Sequence, residues 1–393
     1  MTPAARVQAA IELLDQIIAA ARDNGPPADR ILAEGFRQRR YAGSKDRRAI
    51  RELVYAAIRA CGPVPASGRA AMLRLAQGDP AILPLFDGSD YGPAKIGEGE
   101  PVAERGFAPA WLADRLASSG IDGAEAEALL GRAPLDLRVN SLKTSRESLK
   151  LPVEAENLAA PHGLRLSANA IVEQWEAWKE GLIEVQDCGS QLACLATGAQ
   201  PGETVIDLCA GAGGKTLALA AMMDNSGTLV ACDTDWRRLG QLAARAERAG
   251  AAIAETVRLD PGRELEALGK YRESADCVLV DAPCSCSGTW RRNPENRWRI
   301  TPGQLQRYEA TQGHLLAIAA ALVKPGGRLV YVTCSLLDEE GKDRISAFRV
   351  NRPDWRVDLP QLPLGVERVN GIRLTPYRDG TDGFFIARLS RSW

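Results

Sequence analysis

Two cysteines stand where covalent chemistry is possible. Cys284 lies in DAPCSCSG (281–288) and Cys334 in VTCS (332–335), each closing a short apolar run, ADCVLVDAP (275–283) and GRLVYVTCS (327–335). Runs of that length and composition are buried parallel strands, and the ends of neighbouring strands share one edge of the sheet. A thiolate at such an edge can add to carbon 6 of a cytosine. That addition turns carbon 5, a poor nucleophile in the aromatic ring, into an enamine carbon able to take a methyl group; a base then removes its proton and the thiol departs. A free cysteine is only slightly ionised at neutral pH, so the attacking group needs activation. Asp281, three residues before Cys284, can hold or supply a proton at the ring nitrogen, and Lys215 can bias both that carboxylate and a thiolate. Chemistry alone does not rank the two thiols. Strand-end cysteines are also ordinary buried hydrophobes, the reading preferred for Cys209, Cys232 and Cys277.

A nucleotide-like ligand is indicated by DLCAGAGGKT (207–216), which joins another apolar run to a helix. Glycines there permit a tight turn and close backbone approach at the helix N-terminus. A P-loop would need glycine where Cys209 stands, and a dinucleotide fingerprint would need spacing between Gly213 and its third glycine, which instead follows at once as Gly214. Asp233 ends the next run at the distance from which a ribose hydroxyl is held, and Asp260 and Asp281 close two more runs. A nucleoside lacking a pyrophosphate fits this pattern best.

These positions require a supporting sheet. From about residue 190, the runs TVIDL (204–208), TLVACD (228–233), AETVRLD (254–260), ADCVLVDAP and GRLVYVTCS alternate with amphipathic helices, the signature of a parallel α/β sheet. VERVNGIRLTP and GFFIARLS add a closing antiparallel pair. Thr301, Pro302 and Gln304 read as a capping box opening a helix to about Val323. Upstream, apolar residues at three- and four-residue spacing (Val7, Ile11, Leu14, Ile18; Ile50, Leu53, Val54, Ile58) mark a helical domain. The expected organisation is a helical domain at 1–78, a linker with short helices at 79–134, a small α+β subdomain at 135–186 and a catalytic domain at 187–393.

The chain has 393 residues and a net charge of −1, so nucleic acid would have to be held by local patches. FRQRRYAGSKDRRAIR (36–51) is one, with Arg37, Arg39, Arg40, Lys45, Arg47, Arg48 and Arg51 against Asp46; a solvated helix face is the equally weighted alternative. GTWRRNPENRWR (288–299) interleaves Trp290 and Trp298 with Arg291, Arg292, Arg297 and Arg299, suited to stacking and phosphate contact, or else to packing under the sheet. Nine cysteines without framework spacing predict no disulfides, and the lack of C-x-x-C with only two histidines, His162 and His314, predicts no metal. No run reaches membrane-spanning length, which suggests a cytoplasmic protein.

Together, GLIEVQDCGSQL (181–192), DLCAGAGGKT, CDTDWRRL, DAPCSCSG, TCS and the terminal DGFF (382–385) resemble the RNA cytosine-5 methyltransferases of the RsmB/NSUN type. The resemblance implies a class I S-adenosylmethionine-dependent methyltransferase fold, a Rossmann-like, mostly parallel seven-stranded sheet. It implies Cys334 as nucleophile and Cys284 as the thiol assisting release. It also implies S-adenosylmethionine contacts from Cys209, Ala210, Gly211, Ala212, Gly213, Gly214 and Lys215, and from Asp233, Asp260 and Asp281. Where the family usually has proline, this chain has Ala212, loosening the turn without removing a contacting side chain. LRVN (137–140) resembles the opening of the family's small RNA-binding subdomain, implicating Arg138 and Asn140. The helical N-terminus resembles a shortened NusB-like domain. Small-subunit rRNA, acting as a monomer's substrate through an unpaired or flipped cytosine, is the implied target, with tRNA second. A non-catalytic RNA-binding assembly factor and a small-molecule methyltransferase are the rival readings.

Overall fold

The computed structural model describes residues 1–166, 170–350 and 352–393. It divides into two compact units, Met1–Gly131 with Thr289–Thr301, and Arg132–Gly288 with Pro302–Trp393.

The first unit is built on helices Pro3–Arg22, Ala28–Gln38, Ser44–Ala60 and Gly68–Gly78. In the first helix Val7, Ile11, Leu14 and Ile18 are buried, with Ala10, Leu13 and Ile17 widening the stripe. Thr2 caps its start by accepting from the Ala5 N–H at 3.2 Å, and Pro3 follows at a position that needs no donor. Gly68 lets the fourth helix meet the first backbone to backbone: a Cβ there would lie 2.2 Å from the Ile11 carbonyl oxygen. The unit continues past residue 78 through two further helices, Ala110–Ser118 and Gly123–Ala128. The returning segment Thr289–Thr301 is also part of it, with Trp298 in the same apolar core.

The second unit carries two sheets. Strands β1 (Leu135–Val139), β2 (Ala155–Asn157), β3 (Gly163–Leu166) and β4 (Ile183–Val185) form an antiparallel sheet in the order β2-β3-β1-β4. The larger sheet has nine strands among the described residues: β5 (Thr204–Asp207), β6 (Thr228–Asp233), β7 (Glu255–Arg258), β8 (Ala275–Asp281), β9 (Val323–Thr333), β10 (Trp355–Val357), β11 (Val366–Arg368), β12 (Gly371–Leu374) and β13 (Phe384–Arg391). Its order is β11-β12-β13-β9-β8-β5-β6-β7, with β10 beside β13. Strands β7, β6, β5, β8 and β9 are parallel, and β13 runs antiparallel to β9.

This is the Rossmann-like sheet expected, with nine strands in place of seven. The difference lies at the C-terminal edge. VERVNGIRLTP is not one strand but the hairpin β11–β12, turning at Val369-Asn370, with Asn370 at φ +66°. The dipeptide Asn370-Gly371 is the turn signal that a single-strand reading passes over. β10 pairs with the far end of β13.

Both faces of the central strands are covered. Val278 and Val280 face a cluster with Leu315 and Ala319 of helix Pro302–Leu322. Val205 and Leu279 face Leu192 and Leu219 of helices Cys188–Leu195 and Gly214–Met222. Burial on two sides explains why these strands read as unbroken apolar runs rather than alternating ones. No helix among the described residues is long and apolar enough to cross a membrane.

Candidate active site

At the carboxyl ends of β5, β6, β8 and β9 lies a cavity of about 690 Å³, lined by Cys209, Asp233, Asp281, Cys284 and Cys334 among others. That is within the size range of small-molecule pockets. The loop after β5 turns through Gly211 (φ +56°) and Gly213 (φ +89°) into helix Gly214–Met222. Gly213 is required twice over, by its left-handed backbone and because a Cβ would sit 2.1 Å from Leu242 Cδ1. Asp233 stabilises the turn: its Oδ2 accepts from the Gly211 N–H at 2.7 Å and its Oδ1 from the Asp235 N–H at 2.7 Å. Each oxygen keeps a lone pair for a ligand hydroxyl.

Behind this loop, Asp207 is fully buried; its Oδ2 accepts from the Thr216 hydroxyl at 2.7 Å, and its Oδ1 has no hydrogen-bond partner among the described residues. Burial pushes this carboxyl up to about 7. The folded protein therefore holds a proton that the unfolded chain, with a carboxyl near ~4, releases. Its favourable contribution is present in full at low pH and is lost as pH rises toward 7. Asp207→Asn, measured by urea unfolding from pH 4 to 8, is expected to flatten that decline by about 1–3 kcal/mol. An unchanged slope would show that the carboxyl is ionised when folded.

Lys215 Nζ lies 2.6 Å from Asp281 Oδ2 and 5.9 Å from the centre of the Phe384 ring. Burial opposes the Lys215 charge, but Asp281 outweighs it, so the ammonium is held more firmly than usual. The two cysteines meet beside this pair, with Cys284 Sγ and Cys334 Sγ 3.5 Å apart. Cys284 is buried and Cys334 half-buried, making Cys334 the more accessible residue of the two. Contacts with the Cys286 and Cys334 thiols, and burial, raise the Cys284 thiol well above its ordinary value. A hydrogen bond with Cys284 pulls Cys334 down, but Cys286 and burial together leave it raised.

Glu340 fixes the two cysteine-bearing loops to each other. Its carboxylate accepts from the Ser285 N–H at 2.8 Å, from the Ser285 hydroxyl, and from Gln312 Nε2 at 3.1 Å. Ser335, next to Cys334, is within 3.2 Å of Ser285 Oγ and 3.1 Å of Ser287 Oγ. A buried network of this kind restrains the two loops that carry the sulfurs.

Of the residues expected at the cofactor, Cys209, Asp233 and Asp281 line the cavity, as do Cys284 and Cys334. Ala210, Gly211, Ala212 and Gly213 form the turn into helix Gly214–Met222, which Gly214 and Lys215 open; none of the six lines the cavity. Asp260 is exposed and does not line it; its neighbours Leu259, Pro261 and Gly262 do. Cys286, Arg238 and the pair His314–Glu264, joined at 3.1 Å, also line the cavity and were not singled out by sequence pattern.

The expected RNA contacts need correction. Arg138 is buried and donates to Gln186 Oε1 at 2.7 Å. Asn140 is buried and donates to the Gly181 and Ala249 carbonyls at 2.8 and 2.7 Å. Both tie the small sheet to its surroundings rather than facing solvent. Trp298 and Arg291 are buried and Arg292 half-buried within the helical unit. Arg39 pairs with Glu12 at 2.5 Å and Arg47 donates to the Ala42 carbonyl at 2.8 Å, whereas Arg40, Lys45 and Arg48 are exposed, as are Arg51 and Arg37, the latter paired with Glu34 at 2.9 Å.

Residues 194–390 match the profile of the family described as 16S rRNA methyltransferase RsmB/F. The chain is 36% identical over 273 residues to a probable ribosomal RNA small subunit methyltransferase B of Synechocystis, an alignment covering 66% of this chain and 60% of that protein. It is 32% identical over 307 residues to the ribosomal RNA small subunit methyltransferase B of Sodalis glossinidius, covering 76% and 69%. The chain thus spans less than two thirds of the Synechocystis relative. The solved structure of PH0851 matches with a TM-score of 0.79 and 28% identity over 100% of this chain and 99% of that one. NSun6 from Pyrococcus horikoshii shares the fold, with a TM-score of 0.62 and 21% identity over 72% of this chain and 98% of its own. Given the match over half its length and this likeness to small-subunit enzymes, the chain belongs to the RsmB/F family of 16S rRNA methyltransferases.

Proposed function

We propose that the protein methylates carbon 5 of a cytosine in small-subunit rRNA, using S-adenosylmethionine. The observation that carries this reading is the pair of sulfurs, Cys284 and Cys334, 3.5 Å apart on the same cavity as Asp233 and Asp281. The residues fit the cofactor: Asp233 offers carboxylate lone pairs where a ribose would lie, and the glycine turn keeps side chains off the approach. When bound, S-adenosylmethionine supplies an electrophilic methyl group. Cys334 adds to carbon 6 of the cytosine, and once carbon 5 carries the methyl group Cys284 takes up the carbon 5 proton, so that the C5=C6 double bond re-forms and the bond to Cys334 breaks. Asp281, its charge anchored by Lys215, steadies the ring nitrogen as that nitrogen takes up the proton that Cys334 gives up on adding to carbon 6.

Incubation with methyl-labelled cofactor and total RNA from a strain lacking the gene, followed by nucleoside analysis and mapping, tests the reading. Label as 5-methylcytosine at a small-subunit position is expected. Label in tRNA alone would redirect the substrate, and no label in any RNA with cofactor binding intact would favour an assembly factor.

We also propose Arg40, Lys45 and Arg48 as RNA phosphate contacts. Each such contact contributes about 0.7–0.9 to the dependence of log affinity on log salt. The double substitution Lys45→Gln, Arg48→Gln is expected to reduce that slope by roughly 1.5. An unchanged slope in a salt titration would make this stretch an ordinary solvated helix face.

A further inference from the structure

The catalytic pair has a third sulfur beside it. Cys284, Cys286 and Cys334 place their Sγ atoms all within 4.8 Å of one another, and all three line the cavity. We infer that these three thiols form a binding site for a divalent d10 cation of the zinc class, with its fourth position open to the cavity. A tetrahedral site with metal–sulfur bonds of about 2.3 Å spaces its sulfurs roughly 3.8 Å apart. The observed separations, 3.5 Å for Cys284 and Cys334 and no more than 4.8 Å for any pair, are compatible with that spacing. Sulfur ligation selects thiophilic ions over magnesium or calcium.

The local backbone supports a purposeful placement of the third sulfur. Cys286 sits at φ +55°, a conformation that glycine adopts without strain and that a side chain normally avoids. The turn holding it is fixed on both sides: Ser285 bonds to Glu340, and Ser287 Oγ accepts from the Leu336 N–H at 2.9 Å. Its sulfur lies 3.5 Å from the Cys284 carbonyl oxygen, on the side of the other two. Charge favours a divalent ion, because three thiolates and a 2+ cation leave one negative charge, which Arg238 on the same cavity can offset, whereas a monovalent ion would leave two.

A bound ion occupies both thiols assigned to methyl transfer, so it inhibits; that consequence, unlike the binding itself, rests on the proposed function. The test uses the reduced full-length chain titrated with Cd²⁺, followed by sulfur-to-metal charge-transfer absorption, and with Zn²⁺, followed by metal content after dialysis. One equivalent is expected to bind. Cys286→Ser, and Cys286→Gly as a second variant that relaxes the turn, are expected to weaken binding at least about tenfold with circular dichroism unchanged. A higher zinc concentration should be needed to inhibit each variant, relative to its own metal-free rate, than to inhibit the wild-type chain. Failure of the wild-type chain to bind Cd²⁺, or binding by both variants equal to wild type, would overturn the site. Because absorption reads the metal directly, loss of methyl transfer in every sample would count against the proposed function and leave this result intact.

Discussion

Cys334→Ala is expected to lower methyl transfer by roughly 10⁴-fold or more while cofactor and RNA binding persist, because a covalent step that loses its nucleophile has no alternative of comparable rate. Cys284→Ala is expected to behave differently. Its Sγ lies 3.5 Å from Cys334 Sγ in the more buried position, so addition at carbon 6 continues but release stalls. The result should be a protein–RNA adduct that survives denaturing electrophoresis. The raised Cys334 thiol adds a pH signature: thiolate increases about tenfold per pH unit below its pKa, so methyl transfer should climb as pH rises above 7. An adduct in Cys334→Ala, with none in Cys284→Ala, would exchange the two roles.

The sheet and both sulfurs were legible because each rests on a local pattern. Strands buried on two faces leave unbroken apolar runs, and their ends, Asp233, Asp281 and Cys334, arrive at one edge by topology alone. The chemistry of the motifs does not rank the thiols; the proposed order is supported by the resemblance and by a three-dimensional quantity, the half-burial of Cys334 against the burial of Cys284. The third sulfur carries no signal of its own in the sequence, because Cys284 and Cys286 are spaced C-x-C rather than C-x-x-C and Cys334 comes from another strand. Asp260 looked equivalent to Asp233, yet β7 is a half-exposed edge strand, and past its end the chain turns the carboxylate outward while Leu259 faces the cavity. Arg138 and Asn140 show a further limit. Polar residues in a short strand read as surface, and only the fold reveals that carbonyls from distant segments, such as Ala249, satisfy them inside.

The same limit governs GTWRRNPENRWR, where the expected stacking residue is structural. Trp298 is 5% exposed, lies in the core of the helical unit and donates its indole N–H to the Gly62 carbonyl at 3.1 Å. Arg297 beside it is fully buried, donating to the Ile58 and Cys61 carbonyls at 2.6 and 2.8 Å, with its guanidinium 5.4 Å from the Trp298 ring centre. Those carbonyls end helix Ser44–Ala60, so the segment acts as its C-terminal cap. Burial draws the Arg297 guanidinium down to about 9, and only this set of acceptors makes the charge tolerable. Trp298→Ala is expected to cost the helical unit about 3–5 kcal/mol, from lost burial and an unsatisfied carbonyl. Trp298→Phe retains most of the burial and loses only the donor, so about 1–2 kcal/mol is expected. A tryptophan used for base stacking would give the opposite pattern, with unfolding in urea unchanged and RNA affinity reduced by about 1–3 kcal/mol. Measuring both quantities on the two variants separates the cases, because the Phe variant remains folded well enough for its RNA affinity to be read, and packing inside the helical unit predicts that this affinity matches wild type.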